Sequence, residues 1–271
     1  MWTKSPPRNF SEEEQKEARQ HSSITPHVVH EAVRREGDQE LRRSNSALAW
    51  SGLAAGLSMG FSLITEGILQ AALPDAPWRP LISKFGYSAG FILVILGRQQ
   101  LFTENTLTPI LPLMHRPSSH VLRNVLRLWL VVLAANLAGA LAVGWALGNT
   151  TLFDPTIRSA FFDIGRAAMA PAFGTVLLRG VLAGWLIAMI VWVLPFAETG
   201  RFFVIVALTW IIGAARLPHI VAGSVDVFVL TTTGQATWQH ALGGYVVPAL
   251  IGNILGGVSL VAALNHAQVV S

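Results

Sequence analysis

From about Ala47 onward the chain is a succession of apolar stretches separated by short polar ones, and two of those stretches are interrupted in the middle. Uninterrupted runs cover about Ala47–Ala72, Leu128–Leu147, Ala172–Phe196 and Ala241–Leu264, lengths suited to crossing a hydrocarbon core of about 30 Å as helices. The first interrupted stretch runs apolar from Phe85 to Leu96, turns polar and proline-punctuated over Gly97–Pro112, and has a second, shorter apolar part at Thr106–Met114. The other is apolar over Phe202–Ala215, breaks at Arg216-Leu217-Pro218-His219, and resumes over Ile220–Leu230 with one acid, Asp226. No half is long enough to cross alone, so each pair is expected to span as two half-helices around a break. Pro218 cannot continue a helical ladder and pushes Leu217 out of the α region. Irregular backbone at membrane depth is tolerated only where protein buries it or where it lines a wet cavity, which makes both breaks candidate transport sites.

Counting each interrupted stretch as one crossing gives six. Gly52-Leu-Ala-Ala-Gly56 in the first matches Gly180-Val-Leu-Ala-Gly184 in the fourth, and Asn136-Leu-Ala-Gly-Ala140 in the third matches Asn253-Ile-Leu-Gly-Gly257 in the sixth; the broken crossings are the second and fifth. Three crossings per copy is an odd number, so the second copy is expected upside down relative to the first, about an axis in the membrane plane. The fold class is therefore an all-α polytopic membrane protein of six transmembrane helices in an inverted 3+3 repeat with broken second and fifth helices. The expected domains are a polar cytoplasmic N-terminal tail with helices at 1–44, a channel domain at 45–265 with repeats at about 45–148 and 172–265, and a short tail at 266–271. Within 1–44, Ser11 and Glu14 form a capping box opening a polar helix in a mobile tail, and Thr25-Pro26 starts a second helix expected along the membrane interface.

Composition agrees: of 271 residues 52% are hydrophobic and 13% charged, with mean hydropathy +0.50, values of a polytopic membrane protein. Residues 1–44 hold eight Lys/Arg and eight Asp/Glu, so the net charge of +4 belongs to the membrane part, where it reports topology and not nucleic-acid binding. Arg42, Arg43, Arg116, Arg123, Arg127 and Arg201 flank one face, against Arg79, Lys84, Arg158 and Arg166 on the other. The excess places both termini in the cytoplasm and the chain in the plasma (inner) membrane. There is no cysteine, which excludes thiolate chemistry and Cys-ligated metals, and neither a paired-histidine metal motif nor a serine elbow is present. An enzyme, a metal and a cofactor are not expected.

His219 is the only group in either break that titrates near neutral pH. It is read either as a proton-handling pore residue or as a buried imidazole satisfied by carbonyls. Thr103 either contacts substrate or caps the half-helix after it, and Phe102 either packs or gates. Arg98, Glu104, Arg216 and Asp226 are too costly at depth to stand alone, so they are expected to pair in a buried charge network. Glu66 and Arg179 are expected to snorkel from span ends.

Gln100-Leu101-Phe102-Thr103-Glu104-Asn105, His219 with Ala222-Gly223 after it, Trp192, Pro248 and the Gly252-Asn253 to Gly256-Gly257 stretch resemble the formate/nitrite transporter family over about residues 45–265. The resemblance implies an aquaporin-like protomer, assembled as a homo-pentamer in the lipid bilayer with one pore per subunit, that passes a small monovalent anion or its protonated weak acid, with proton linkage. It makes His219 and Thr103 the central pair, and Leu101, Phe102, Tyr87 and Phe91 the hydrophobic constrictions, with Asn105 and Asn253 in the matching motifs. Departures are Gln100 where Glu is usual, and Gly184, Gly223 and Gly244 where Asn is usual. For the vestibule lysine of the family Arg166 is the nearest basic candidate. These departures are similar to a divergent, YfdC-like branch, for which a pore closed to formate and nitrite, or an aquaporin-like channel for a neutral solute, is the alternative.

Overall fold

The computed structural model describes residues 25–262, and among these every regular element is helical. The Ser11–Glu14 capping box, the 266–271 tail and the end of the sixth apolar run lie outside the described residues. Five helices are long and apolar enough to cross a membrane: Asn45–Ala72, Arg79–Leu96, Ser119–Asn149, Phe173–Phe196 and Trp238–Ser259. Two shorter apolar helices, Arg201–Ala214 and Ala222–Thr232, accompany them. The chain is thus a multi-pass membrane protein.

In chain order the main elements are α1 (Pro26–Leu41), α2 (Asn45–Ala72), α3 (Arg79–Ser83), α4 (Ser88–Leu96), a 3-10 turn at Glu104–Thr106, α5 (Ile110–His115), α6 (Ser119–Asn149), α7 (Pro155–Met169), α8 (Phe173–Val193), α9 (Arg201–Ala214), α10 (Ala222–Thr232) and α11 (Val247–Leu255). π-helical stretches at Ala241–Val246 and Gly256–Ala262 flank α11. The two most extensively packed helix pairs are α2 with α6 and α8 with α11. Small residues make them close: a Cβ at Gly56 would lie 2.2 Å from the Asn136 carbonyl oxygen, and one at Gly184 would lie 2.3 Å from that of Asn253. Without a hydrophobic drive between helices in lipid, such backbone approach is what holds the pairs together.

In the arrangement of the helices and of Glu66 the structure differs from the sequence expectation in three places. The connection between Gly148 and Pro171 is a helix, α7, whose first turn is capped by Asp154 Oδ1 accepting from Thr156 N and Ile157 N at 3.0 Å each, with Pro155 at the first helical position. It buries Ala160, Phe161, Ile164, Gly165 and Met169 against α10 and α2. Second, α1 does not stop at an interface. Its Val33 is fully buried in a cluster with Leu107, Ile110, Leu111, Val125 and Ala188, which docks α1 on the segment around α5. Third, Glu66 does not snorkel: it is 2% exposed and ion-paired with Lys84 Nζ, because its place in α2 faces the chain entering α4.

Candidate functional site

The two non-helical segments begin in the same way. At the end of α4 Arg98 takes φ 49°, with the Gln99 N–H donating to the Val94 carbonyl at 3.0 Å; at the end of α9 Arg216 takes φ 51°, with the Leu217 N–H donating to the Ile212 carbonyl at 2.9 Å. This helix-ending turn usually carries glycine, because a side chain in the left-handed region costs about 1–2 kcal/mol. Such strain persists where the surroundings fix the backbone. Here two buried amides do so. Asn136 Oδ1 accepts from the Phe102 N–H at 2.9 Å, while its Nδ2 donates to the carbonyls of Gln100 (2.9 Å) and Gly52 (2.7 Å). Asn253 Oδ1 accepts from the Ile220 N–H at 2.8 Å, while its Nδ2 donates to Pro218 (2.9 Å) and Gly180 (2.8 Å). Each amide ties an unwound segment to a neighbouring helix and satisfies backbone groups that lipid could not. Asn136 was legible only as a member of the repeat; its equivalence to Asn253 was the signal that it holds a break.

The tied segments bring Thr103 and His219 together. Nδ1 of His219 accepts from Val221 N at 3.3 Å and Ala222 N at 3.2 Å, the first donors of α10. An acceptor there places the ring proton of the neutral imidazole on Nε2, by assignment from the bonding pattern. Nε2–H then donates to Thr103 Oγ1, 2.7 Å away. Thr103 makes no side-chain cap for the turn after it; instead its carbonyl accepts from Thr106 Oγ1 at 2.7 Å. With its oxygen occupied by His219, the Thr103 hydroxyl hydrogen has no acceptor among the described residues. That leaves one free donor at the junction of the two breaks.

Apolar rings close over this junction. Phe91 meets the His219 ring edge-on at 4.9 Å and Tyr87 lies 5.3 Å from Phe91. Phe102 stands edge-on to Trp129 at 5.9 Å. Tyr87 at 7% is the most exposed of the set that also includes Phe91, Leu101, Phe102, Thr103 and His219. Asn105 is placed elsewhere. Its Nδ2 donates to Gln100 Oε1 at 2.9 Å, Gln100 Nε2 donates to Glu40 Oε2 at 2.8 Å, and the Asn105 carbonyl accepts from Trp129 Nε1 at 2.7 Å. It therefore links the first break to α1 and not to His219. A cavity of about 1040 Å³ opens beside this link, with Glu36, Glu40, Arg98, Glu104 and Arg201 in its walls. Burial pushes the Glu40 carboxyl above its ordinary value, with the Arg43 guanidinium opposing.

The four charges are not assembled into an ion-pair network. Arg98 and Arg216 are exposed, Glu104 and Asp226 half-buried, and among the described residues no ion pair joins any two of them. The left-handed turn explains it, since each arginine side chain leaves the helix end outward. Arg166 is likewise exposed, paired with Asp163 at 2.8 Å and hydrogen-bonded to Gln235 Oε1 at 2.7 Å. The space beside Gly223 is filled by the ring of Tyr245, a residue the sequence reading passed over.

Set beside known proteins, the chain matches the sequence model of the formate/nitrite transporter family over residues 27–267. It is 41% identical over 242 residues to the inner membrane protein YfdC of Escherichia coli K12, covering 89% of this chain and 78% of that one. Among solved structures it superposes on an FNT family ion channel with TM-score 0.75 at 20% identity, over 89% of this chain and 98% of that one. It also superposes on a pentameric formate channel with formate bound, with TM-score 0.68 at 17% identity, over 88% and 99%.

Proposed function

Since this chain belongs to the formate/nitrite transporter family, we propose that it is a membrane channel for a small monovalent anion or its protonated weak acid. The observation that carries the reading is the buried Thr103–His219 hydrogen bond, which joins the two non-helical segments at the centre of the protein. His219 fills the Thr103 oxygen with a donated proton, so the Thr103 O–H can be offered to the oxygen of a passing anion. Donation in a chain polarises the hydroxyl and strengthens it as a donor in a low-dielectric site. The N-terminus of α10, whose first amides already bond to His219, adds a positive dipole end on the same point. Phe91 and Phe102 on the flanks exclude water. A bare anion between them loses its hydration at large cost, whereas the neutral acid does not. The species crossing the rings is then the acid, and the flux is proton-linked.

The finer architecture belongs to the same proposal. The like roles of Asn136 and Asn253 and the like turns at Arg98 and Arg216 support an inverted 3+3 repeat of six crossings, with Arg79–His115 and Arg201–Thr232 as the broken second and fifth. The likeness to a pentameric formate channel supports a homo-pentamer, and the arginine excess supports cytoplasmic termini. We assign residues 45–265 to the channel and 1–44 to the tail, with α1 reaching from it onto the first break.

Flux of formate, nitrite and acetate into proteoliposomes, with and without an inward proton gradient, tests the reading. Gradient-stimulated uptake of at least one is expected; none with either gradient would reject it.

A further inference from the structure

Across His219 from Thr103 the first turn of α10 faces a phenol. A Cβ at Gly223 would lie 1.7 Å from the Tyr245 hydroxyl oxygen and 2.4 Å from its Cζ, so the ring end occupies the space that a side chain at 223 would take. The Gly223 N–H donates to the His219 carbonyl at 2.9 Å, so the glycine against which the phenol lies is tied directly to His219. Tyr245 is 3% exposed and comes from the π-helical stretch Ala241–Val246. Such widened turns are rare and recur at functional sites. The chain has two tyrosines, and they lie near enough to each other and to Asp226 to interact electrostatically. Tyr87 covers Phe91, which itself meets the His219 ring edge-on.

We propose that Tyr245 is a specificity-determining residue of the pore: its ring narrows the passage beside His219, and its hydroxyl donates a hydrogen bond to a small monovalent oxyanion or oxyacid there. The inference rests on the transport reading above and names its selectivity. A directional O–H donor favours oxygen acceptors over a halide of the same charge. The ring sets the size limit, so the favoured ligand is a compact oxyanion and larger carboxylates are excluded.

The test uses the full chain in liposomes, with formate, nitrite, chloride and acetate as probes, for wild type, Tyr245→Phe, Tyr245→Leu and Tyr245→Ala, each required to be monodisperse after purification. Tyr245→Phe keeps the ring and removes the donor, so the formate-to-chloride and nitrite-to-chloride ratios should fall about two- to tenfold, the weight of one neutral hydrogen bond. Tyr245→Ala and Tyr245→Leu should raise acetate flux about tenfold or more. A conducting wild type whose ratios and acetate flux are unmoved by all three substitutions overturns the inference and leaves the transport reading standing. A silent wild type with a conducting Tyr245→Ala upholds the constriction and rejects transport by the unmodified pore. Silence of both overturns both.

Discussion

Asn136 and Asn253 make the same three hydrogen bonds in two different places: each accepts from the second residue beyond its break's first tied carbonyl, and each donates to that carbonyl and to a glycine carbonyl on the paired helix. Both are fully buried. Replacing either with Leu keeps the branched shape but strands the N–H of Phe102 or Ile220 and the carbonyl of Gln100 or Pro218, at a cost of about 3 kcal/mol or more. For either variant in detergent the expected drop in Tm is at least about 6 °C. An unchanged Tm in both would mean that the amides do not hold the segments.

Thr103 and His219 separate by chemistry and not by size. Thr103→Ser keeps the hydroxyl and should conduct within about threefold of wild type, whereas Thr103→Val keeps the shape and should lose about tenfold or more, the effect of stranding a polar partner. His219→Asn can still accept near the α10 amides but is too short to reach Thr103, and should alter the pH profile of uptake as well as its size. Equal flux in Thr103→Val and Thr103→Ser, or a pH profile unmoved in His219→Asn, would return the pair to a purely structural role.

The breaks were legible because an apolar run that turns polar for a few residues leaves few alternatives in lipid, and because Pro218 forbids a continuous helix at one of them. The matched positions of Asn136 and Asn253 made the two halves readable as copies. What escaped the sequence were relations between distant segments. Asp154-Pro155 was a readable start for α7, but its apolar residues alternate with Arg158, Asp163 and Arg166, so the stretch lacks the uniform hydropathy of a crossing. The docking of α1 depends on Leu107, Ile110 and Leu111, far along the chain. Tyr245 is aimed by a π-helical turn for which Gly243 and Gly244 give only a permissive hint.

The docked α1 gives a third expectation. A Cβ at Gly37 would lie 2.0 Å from the Thr108 carbonyl oxygen, so Gly37→Ala should lift α1 from the break and make it the first site of limited proteolysis. Glu40 supplies a sign for pH. Its carboxyl is raised by burial, so the docked state holds its proton more readily than the undocked one. That contribution is fully present below the ordinary glutamate value and is lost as pH rises through the raised value. Hydrogen exchange in α1 should therefore quicken with pH beyond its intrinsic dependence, and Glu40→Gln should flatten the excess. Protection of α1 that follows intrinsic exchange alone, identical in both proteins, would contradict the linkage.

The charged side chains near the breaks fall into two kinds, exposed and ion-paired. Arg98 and Arg216 are exposed at left-handed turns and join no ion pair among the described residues, so Arg98→Gly and Arg216→Gly remove backbone strain and break no ion pair. Each should leave Tm unchanged or raise it, as glycine substitution at a left-handed position does. Lys84 and Glu66 form the pair that carries stability, with side-chain exposures of 17% and 2%. Lys84→Met removes the ion-pair partner of the buried Glu66 carboxylate and should destabilise by about 3 to 5 kcal/mol, while Lys84→Met with Glu66→Leu should recover most of that loss, because a well-packed apolar pair can replace a buried ion pair. Thermal melts of Arg98→Gly, Arg216→Gly, Lys84→Met, Glu66→Leu and the Lys84→Met with Glu66→Leu double variant decide it. Losses at Arg98 and Arg216 as large as that at Lys84 would restore the paired network, and an additive Lys84 and Glu66 double variant would remove the coupling on which this assignment of charge to stability depends.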